Sequence, residues 1–232
     1  MELSLRMEQV MAMTEACTAA TDVGCDHGYV AMELVRRGIA KQVIAMDVRP
    51  GPLSRAREHI EREQLTAQVQ CRLSDGLEKL EPEEVEEIVI AGMGGPLMIQ
   101  IIENGRKKLG RVHTMVLQPQ SEIPEVRRYL HKNGWKIAKE AMVIEEGKYY
   151  TVFQVKAGEE QYENPVEYRY GACLLQEKSE ILYDYLKQEE MQYRNICDRL
   201  QKENTQKAKE RLQEIKQLLE QNREAQRQYE IK

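Results

Sequence analysis

The stretch Asp22–Gly28, with the sequence DVGCDHG, constrains the fold more than any other part of the chain. A short run of β-prone residues precedes it, and an amphipathic segment, Tyr29–Arg37, follows it. Gly24 and Gly28 bracket the turn, and glycine lets the backbone adopt positive φ and approach a ligand closely. A strand, a glycine-containing loop and a helix in this order predict a nucleotide-type cofactor site at the carboxyl end of a parallel strand.

The spacing within this turn distinguishes two kinds of cofactor loop. Dinucleotide-binding loops have the pattern G-x-G-x-x-G, whereas the position two residues after Gly24 is Asp26. The pattern D-x-G-x-x-x-G, from Asp22 to Gly28, is instead similar to the first motif of S-adenosylmethionine-dependent methyltransferases. A nicotinamide-dependent oxidoreductase is therefore the weaker interpretation.

Alternating β-rich and helical patterns predict the fold of the first 160 residues. The β-rich runs are Ala19–Val23, Gln42–Met46, Gln68–Arg72, Ile88–Ala91, Thr114–Leu117, Lys136–Ile144 and Tyr149–Val155. The helical patterns are Val30–Arg37, Pro52–Glu63, Leu97–Leu109 and Ile123–Asn133. This alternation predicts right-handed crossovers and a mainly parallel α/β sheet. Only turn residues join the last two runs, so we expect a Rossmann-like, seven-stranded methyltransferase sheet that ends in an antiparallel hairpin.

The composition changes after about residue 160. No proline follows Pro165 and no glycine follows Gly171, while apolar residues recur at helical spacing from Leu174 through Leu219. This pattern predicts two long helices, separated near Lys202–Thr205 and packed as an antiparallel coiled-coil hairpin. We therefore expect a methyltransferase domain at 1–160 and a C-terminal helical coiled-coil domain at 161–232. A solvated extension or a dimerisation device remains an alternative for the second segment.

Composition and charge limit the partners. The net charge of −5 argues against a uniformly basic nucleic-acid coat but permits a local basic patch. No apolar run reaches about eighteen residues, so no membrane span is expected. The N-terminus lacks the apolar core of a signal peptide, which favours a cytoplasmic protein. The five cysteines and four histidines are scattered, so no metal site is expected.

Acidic residues follow the second and third predicted strands. Asp47 closes the second run, where a carboxylate can accept hydrogen bonds from the ribose hydroxyls of an adenosine cofactor. Asp75 and Gly76 follow the third run, where an acid can reach the exocyclic amine of adenine. In isolation these residues would be ordinary loop acids, and their order along the sheet is what makes them candidates.

The loop after the fourth run is expected to meet both the cofactor and the methyl acceptor. It contains Gly92, Met93, Gly94 and Gly95, and these glycines allow close approach of the backbone. Methylases of exocyclic amines usually carry an acid or Asn, two prolines and an aromatic residue here. None of these is present in the IAGMGGP segment, which favours an acceptor with a free lone pair, such as a ring nitrogen.

Further candidates for acceptor binding lie later in the chain. Gln118 and Gln120 flank Pro119 after the fifth run and are candidates for contacting a base edge. Tyr29 and Tyr149 are candidates for stacking on a base. Basic residues, which are candidates for phosphate contacts but more often form a solvated surface, cluster at Arg36–Arg37 with Lys41, Arg106–Lys108 with Arg111, and Arg127–Arg128.

Four segments together resemble the bacterial tRNA (adenine-22, N1)-methyltransferases: Asp22–Tyr29, Gly92–Gly95, Leu117–Pro119 and Gly147–Tyr150. The similarity extends over the whole chain, and Gln120 stands where that family usually has Asn. The resemblance implies an S-adenosylmethionine cofactor, a tRNA substrate and methyl transfer to N1 of adenine.

Within this resemblance, the catalytic candidates are Asp26, His27 and Tyr29. Asp26 is expected to stabilise the positive charge on the methylated base or to accept its exocyclic proton. His27 is expected to contact the cofactor or the base, and Tyr29 to position the base. Two alternatives remain open: a methyltransferase that acts on a protein or small molecule, and a non-catalytic protein that binds the cofactor or RNA.

Overall fold

The computed structural model describes residues 3–230, which divide into two compact units with the boundary between Glu160 and Gln161. The strands of the first unit are β1 (Cys17–Val23), β2 (Ala40–Asp47), β3 (Val69–Leu73), β4 (Glu87–Met93), β5 (Thr114–Pro119), β6 (Trp135–Glu145) and β7 (Lys148–Ala157). Its helices are α1 (Leu5–Ala12), α2 (Tyr29–Arg36), α3 (Pro50–Arg62), α4 (Gly95–Gly105) and α5 (Ile123–Lys132).

The seven strands form one sheet in the order β3-β2-β1-β4-β5-β7-β6. The first five strands run parallel, and β7 pairs antiparallel with both β5 and β6. The predicted Rossmann-like sheet with a closing hairpin is therefore confirmed. The strand order reverses between β1 and β4, and in open α/β sheets a ligand crevice forms at such a point, outside the carboxyl ends of the strands.

Apolar layers cover both faces of this sheet. Ile88 and Ile90 of β4 face a layer that includes Met98 of α4 and Leu130 of α5. Val89, between them in sequence, faces the opposite layer, which contains residues of α1, α2 and α3. Because both faces are covered, β4 is apolar without alternation, as expected for a buried parallel strand. The core therefore fixes the strand ends that position the site.

Helix α1 was not predicted from the sequence. Ser4 caps it by accepting a hydrogen bond from the backbone N–H of Met7 at 3.4 Å, and Val10 and Met11 are buried. An isolated helix of eight residues is not stable in water, so its own pattern gives little signal. Its stability comes from packing against the first unit, which the local sequence does not reveal.

The predicted basic clusters are largely neutralised within the first unit. Arg127 is buried, and its Nη2 lies 2.7 Å from Oε1 of the equally buried Glu140. Arg37 pairs with Glu8, through Nη2 at 2.7 Å, and with Glu33, through Nε at 3.0 Å. Acidic side chains thus neutralise arginines that the sequence pattern alone assigns to a basic surface.

The second unit contains four helices within the described residues: α6 (Pro165–Tyr170), α7 (Ala172–Gln176), α8 (Glu180–Leu200) and α9 (Gln206–Glu230). The two long C-terminal helices are confirmed, and the coiled-coil character of their packing stays a prediction. Tyr183 stacks on Tyr229, so the start of α8 meets the end of α9 and the pair is antiparallel. Sequence periodicity placed Leu174 in the first long helix, whereas that helix begins after the cap residue Ser179.

A buried polar cluster centres on Glu189 of α8. Its carboxylate accepts hydrogen bonds from Tyr170, Tyr185, Tyr193, Asn222 and Arg169 at 2.6–3.1 Å. Burial by itself raises the pKa of Glu189, but these donors outweigh it and hold the pKa below its ordinary value. Such a cluster favours one register of α8 against α9, because any shift would leave a buried charge without its partners.

Candidate active site

A cavity of about 720 Å³ opens at the carboxyl ends of the parallel strands in the first unit. The loops that follow β1 to β5 line it. The predicted site residues that the structure brings together here are Asp22, Gly24, Asp26, His27, Tyr29, Asp47, Asp75, Gly76, Gly92, Met93 and Gln120. Residues distant in sequence therefore meet in one place because each follows a strand of the same parallel sheet.

The turn between β1 and α2 passes beneath the cavity. The backbone N–H groups of Gly24 and Cys25 donate to the carbonyl oxygen of Met46 at 2.8 and 2.9 Å, which ties the turn to β2. Gly24 has φ +75°, and a Cβ there would overlap the Met93 side chain. Glycine at this position thus satisfies the backbone conformation and lets the loop after β4 approach the turn.

Asp47 links the ends of β1 and β2. Its buried carboxylate accepts hydrogen bonds from the backbone N–H of Arg49 at 2.8 Å and of Asp26 at 3.3 Å. These two donors fix the orientation of the carboxylate at the cavity wall. An ionised carboxylate has about four acceptor positions, so capacity remains for hydroxyl groups of a ligand.

Asp22 is the most perturbed acid of the site. It is 4% exposed, and its Oδ2 atom is buried without a hydrogen-bond partner. Burial raises the pKa of Asp22 to about 7; the backbone N–H of Ala31 opposes this rise, and the Asp47 carboxylate adds to it. A buried carboxylate oxygen without a partner at a cavity wall fits a ligand that brings its own donor, most favourably a cationic one.

Hydrogen bonds join the carboxyl ends of β4 and β5. The N–H of Gly92 donates to Oε1 of Gln118 at 3.0 Å, and the N–H of Gln120 donates to the carbonyl of Met93 at 2.9 Å. Gln118 is fully buried, whereas Gln120 is exposed and lines the cavity. The amide of Gln118 is thus used within the protein, and Gln120 is the glutamine available to an acceptor.

Six of the predicted residues do not line the cavity: Gly28, Gly94, Gly95, Gln118, Pro119 and Tyr149. Gly28 and Gly94 precede α2 and α4 as their cap residues, and Pro119 is buried at the end of β5. A Cβ on Gly95 would overlap the carbonyl oxygen of Ser121 and lie 2.9 Å from Val126. The side chains or backbone of these residues therefore shape the loops, while direct ligand contact by them stays a prediction.

Two features of the site were missed in the sequence. The side chain of Arg6, from the unpredicted helix α1, lines the cavity. His59 of α3 joins His27 and Tyr29 in a cluster of nearly parallel rings, with centroids 5.3–5.7 Å apart. Neither residue lies in a recognisable motif, because both reach the site from segments whose local sequence carries no chemical signal.

Other chemistries find less support in the described part of the chain. Residues 3–230 contain no group of three or more His, Cys, Asp or Glu side chains placed to hold a metal ion. Cys25 lines the cavity, but burial and the nearby Asp22 raise the pKa of its thiol, which disfavours a thiolate nucleophile. No helix of these residues is long and apolar enough to span a membrane.

The sheet with its closing hairpin, and the acids after β1, β2 and β3 around one cavity, define a Rossmann-like methyltransferase of the S-adenosylmethionine-dependent class. A family model described as TrmK, tRNA (adenine(22)-N(1))-methyltransferase, matches residues 20–224. The chain therefore belongs to this family.

Individual relatives agree with this assignment. The tRNA (adenine(22)-N(1))-methyltransferase of Bacillus subtilis is 29% identical over 221 residues, which cover 93% of each chain. The crystal structure of Streptococcus pneumoniae Sp1610 is 32% identical, with a TM-score of 0.89 over 97% of this chain and 100% of that one. A second Sp1610 structure, in complex with S-adenosyl-L-methionine, is 31% identical with a TM-score of 0.86 and the same coverage.

Proposed function

We propose that this chain transfers a methyl group from S-adenosylmethionine to N1 of adenine 22 in tRNA. Membership of the family supports the reaction, and the S-adenosylmethionine complex of Sp1610 supports the cofactor. The observation in this structure that carries the proposal is the placement of Asp22, Asp47 and Asp75 around one cavity at successive strand ends. Three acids of this kind suit a cofactor that carries positive charge and several hydrogen-bond donors.

The residues present fit that cofactor. Asp47, held by two backbone donors, would accept hydrogen bonds from the ribose hydroxyls, and Asp75 beside Gly76 would accept one from the adenine amine. The unpartnered Oδ2 of Asp22 would accept from the ammonium group of the methionine portion. Gly24, Gly92, Met93 and the neighbouring Gly94 would allow close contact by the backbone. When bound, S-adenosylmethionine supplies a methyl group on a sulfonium and takes up the electron pair of the bond that breaks.

The chain has little proton chemistry to perform before transfer, because N1 of adenine carries a free lone pair at neutral pH. Transfer leaves positive charge on the base, and Asp26 is an exposed carboxylate of the cavity lining next to His27. Its Oδ2 lies 3.6 Å from Nε2 of His27, and its Oδ1 lies 3.9 Å from Nη2 of Arg55. We assign Asp26 the role of stabilising that charge or accepting the exocyclic proton.

Orientation is then the main contribution of the protein to the rate. The rings of His27 and Tyr29 are nearly parallel at 5.5 Å, and we assign them the positioning of the target base. The Gln120 amide, which also lines the cavity, would hydrogen-bond the base edge. Correct alignment supplies up to about 7–11 kcal/mol in intramolecular reactions. Part of that gain offsets the unstacking of the target adenine, which costs a few kcal/mol.

We assign the reaction to residues 1–160, as a methyltransferase domain, and a tRNA-binding role to the helical domain at 161–232. The second unit has a depression between α8 and α9 that Arg194, Lys216 and Arg223 line together with Asp198 and Glu220. Cations of this kind supply phosphate contacts in RNA complexes. A tRNA substrate also makes the cytoplasm the expected compartment.

The test is methyl transfer to an unmodified tRNA transcript, followed by mass spectrometry of the nucleosides. We expect 1-methyladenosine with the wild-type transcript and none with a matched transcript that carries guanosine at position 22. A different methylated nucleoside, or equal transfer to both transcripts, would contradict the assigned target. Cofactor binding without transfer to any RNA would favour a non-catalytic protein.

A further inference from the structure

The side chain of Arg6 lines the cavity beside the ends of β4 and β5. Its Nη1 donates to Oε1 of Gln118 at 3.0 Å, and that oxygen also accepts from the N–H of Gly92. A Cβ at Gly92 would lie 3.3 Å from the same Nη1. The guanidinium therefore sits at the ends of β4 and β5, whereas Asp47 ends β2 and Asp75 follows β3, on the other half of the strand order.

The guanidinium is held in place on several sides. The backbone N–H of Arg6 donates to Oε1 of Glu145 at 3.1 Å, which fixes the start of α1 against β6. Its guanidinium carbon lies 5.2 Å from the centroid of the Tyr150 ring. The side chain is 21% exposed, so packing restricts its freedom before any ligand arrives. A cation fixed in this way loses little conformational entropy on binding.

This cation is incompletely neutralised. Its Nε lies 3.7 Å from Oε2 of Glu145, which is beyond hydrogen-bond distance, and Nε is buried without a hydrogen-bond partner. A guanidinium has five N–H donors in a planar fork, and the hydrogen bond to Gln118 uses one of them. The buried Nε is not accessible to a ligand, so the remaining N–H groups of Nη1 and Nη2 are the donors left for an oxyanion, for which this end of the fork is well suited.

The charge of the cavity explains why a cation is needed here. Four lining acids, Asp22, Asp26, Asp47 and Asp75, suit a cationic cofactor but repel the phosphates of RNA. Within residues 3–230, the arginines and lysines that line the cavity are Arg6 and Arg49. Arg49 is 69% exposed and lies 3.7 Å from Asp47, beside the proposed ribose site. Arg6 is thus the cation on the acceptor side.

We propose that Arg6 binds the phosphate of the target nucleotide and so positions its adenine at the cavity. This inference rests on the proposed function, because it requires an RNA substrate. A single phosphate contact at this place counters the acidic lining and restrains the sugar–phosphate backbone next to the base. It also gives the Gln118 side chain a second role, that of orienting the guanidinium.

The test compares Arg6→Met, Arg6→Gln and Arg6→Lys with Arg62→Gln, a matched loss of one charge at an exposed position of α3. Transfer to tRNA is measured against salt at saturating cofactor, and cofactor affinity is measured by calorimetry without RNA. We expect the two uncharged Arg6 variants to raise KM for tRNA about tenfold to hundredfold. The slope of log kcat/KM against log salt should become shallower by about 0.7–0.9.

The remaining variants should separate charge from structure. Arg6→Lys should keep the salt slope and show an intermediate KM, because lysine keeps the charge but loses the fork. Arg62→Gln should stay within about twofold of wild type, as surface substitutions usually do. Cofactor affinity should be unchanged throughout. The melting temperature of each variant shows whether it folds. If Arg6→Met does not fold, the salt dependence of kcat/KM is judged from Arg6→Gln alone.

Four results would overturn the assignment. Equal weakening of cofactor affinity would show that Arg6 binds the cofactor carboxylate. A lower kcat with unchanged KM and salt slope would show that Arg6 acts only by positioning Gly92 through Gln118. An equal loss in Arg62→Gln would attribute the effect to net charge. If the wild-type protein does not methylate tRNA, the proposed function itself is wrong. If the wild-type protein is active and the Arg6 variants behave like it, only this inference about Arg6 is wrong.

Discussion

The acid Asp22 allows one prediction that couples cofactor binding to folding. Asp22→Asn keeps the shape of the side chain and removes its charge. In the folded protein this carboxyl is buried, and burial raises its pKa from the ordinary 3.8 to about 7. Ionising Asp22 inside the protein therefore costs free energy that asparagine avoids. The variant should be more stable than wild type without cofactor, and a poorer binder of the cofactor.

The magnitude and its sign follow from the two pKa values. Because folding raises the pKa of Asp22, its favourable contribution is fully present below pH 3.8 and is lost as the pH rises to about 7. At 1.36 kcal/mol per pKa unit, the loss amounts to at most about 4 kcal/mol. The stability advantage of Asp22→Asn should thus be near zero at pH 4, grow up to pH 7, and stay constant above it.

The assay is denaturant unfolding of the cofactor-free protein at several values between pH 4 and pH 8, with wild type and variant compared at each pH. The difference between them is the useful quantity, because burial also raises the pKa of Glu87 to about 8 in both proteins. Asp75→Asn is the matched control. Asp75 lines the same cavity but is exposed, so this variant should stay within about 0.5 kcal/mol of wild type.

Cofactor affinity supplies the second half of the test. Between pH 5.5 and 7, wild type should bind S-adenosylmethionine more tightly as the pH rises, by up to about tenfold per pH unit. Asp22→Asn should bind more weakly and lose this dependence. The reasoning is refuted if the stability difference does not change with pH, or if the variant binds the cofactor as tightly as wild type.

Three further predictions concern Asp26 and two structural contacts. Asp26→Asn, in which asparagine tolerates the left-handed backbone at φ +46°, should lower kcat about 100-fold and leave cofactor affinity within a few-fold. Gly95→Ala should cost about 1–3 kcal/mol of stability by overpacking, measured by denaturant unfolding, whereas Gly110→Ala, with open space around it, should be nearly neutral. Arg127→Met should cost about 3–5 kcal/mol in the same assay, because it leaves Glu140 charged and buried without its partner.

Each of these predictions has a result that would contradict it. Unchanged turnover in Asp26→Asn would remove this carboxylate from the mechanism. If Gly95→Ala and Gly110→Ala are equally stable, the loop after β5 can shift to accommodate the added methyl group without loss of stability. For the buried pair, the double variant Arg127→Met with Glu140→Leu should recover much of the lost stability. A double variant as unstable as the single one would show that the contact matters by shape rather than by charge.

Much of the fold was predictable because its signals are local. Strands of a covered parallel sheet are continuous apolar runs, and the helices between them show an apolar stripe. Asp47 and Asp75 were predicted as cofactor-binding residues for the same reason, since the place of each at the end of a β-rich run is visible in the sequence. The start of α8 was misplaced because Leu174 continues the helical spacing, while the backbone breaks at Lys178, which has φ +52°.

The amino-acid sequence was enough to predict the succession of strands and helices along the chain, the glycine turn at Asp22–Gly28 and the class of cofactor that such a turn accepts, because each depends on residues close in the chain. Tertiary structure alone decided which charges remain available. In the folded chain Arg127 pairs with Glu140, and Arg6 donates a hydrogen bond to Gln118, which lies 112 positions away in the sequence. One carboxylate oxygen of Asp22 is buried without a hydrogen-bond donor. Pairing and burial depend on distances in space, and sequence separation does not encode them.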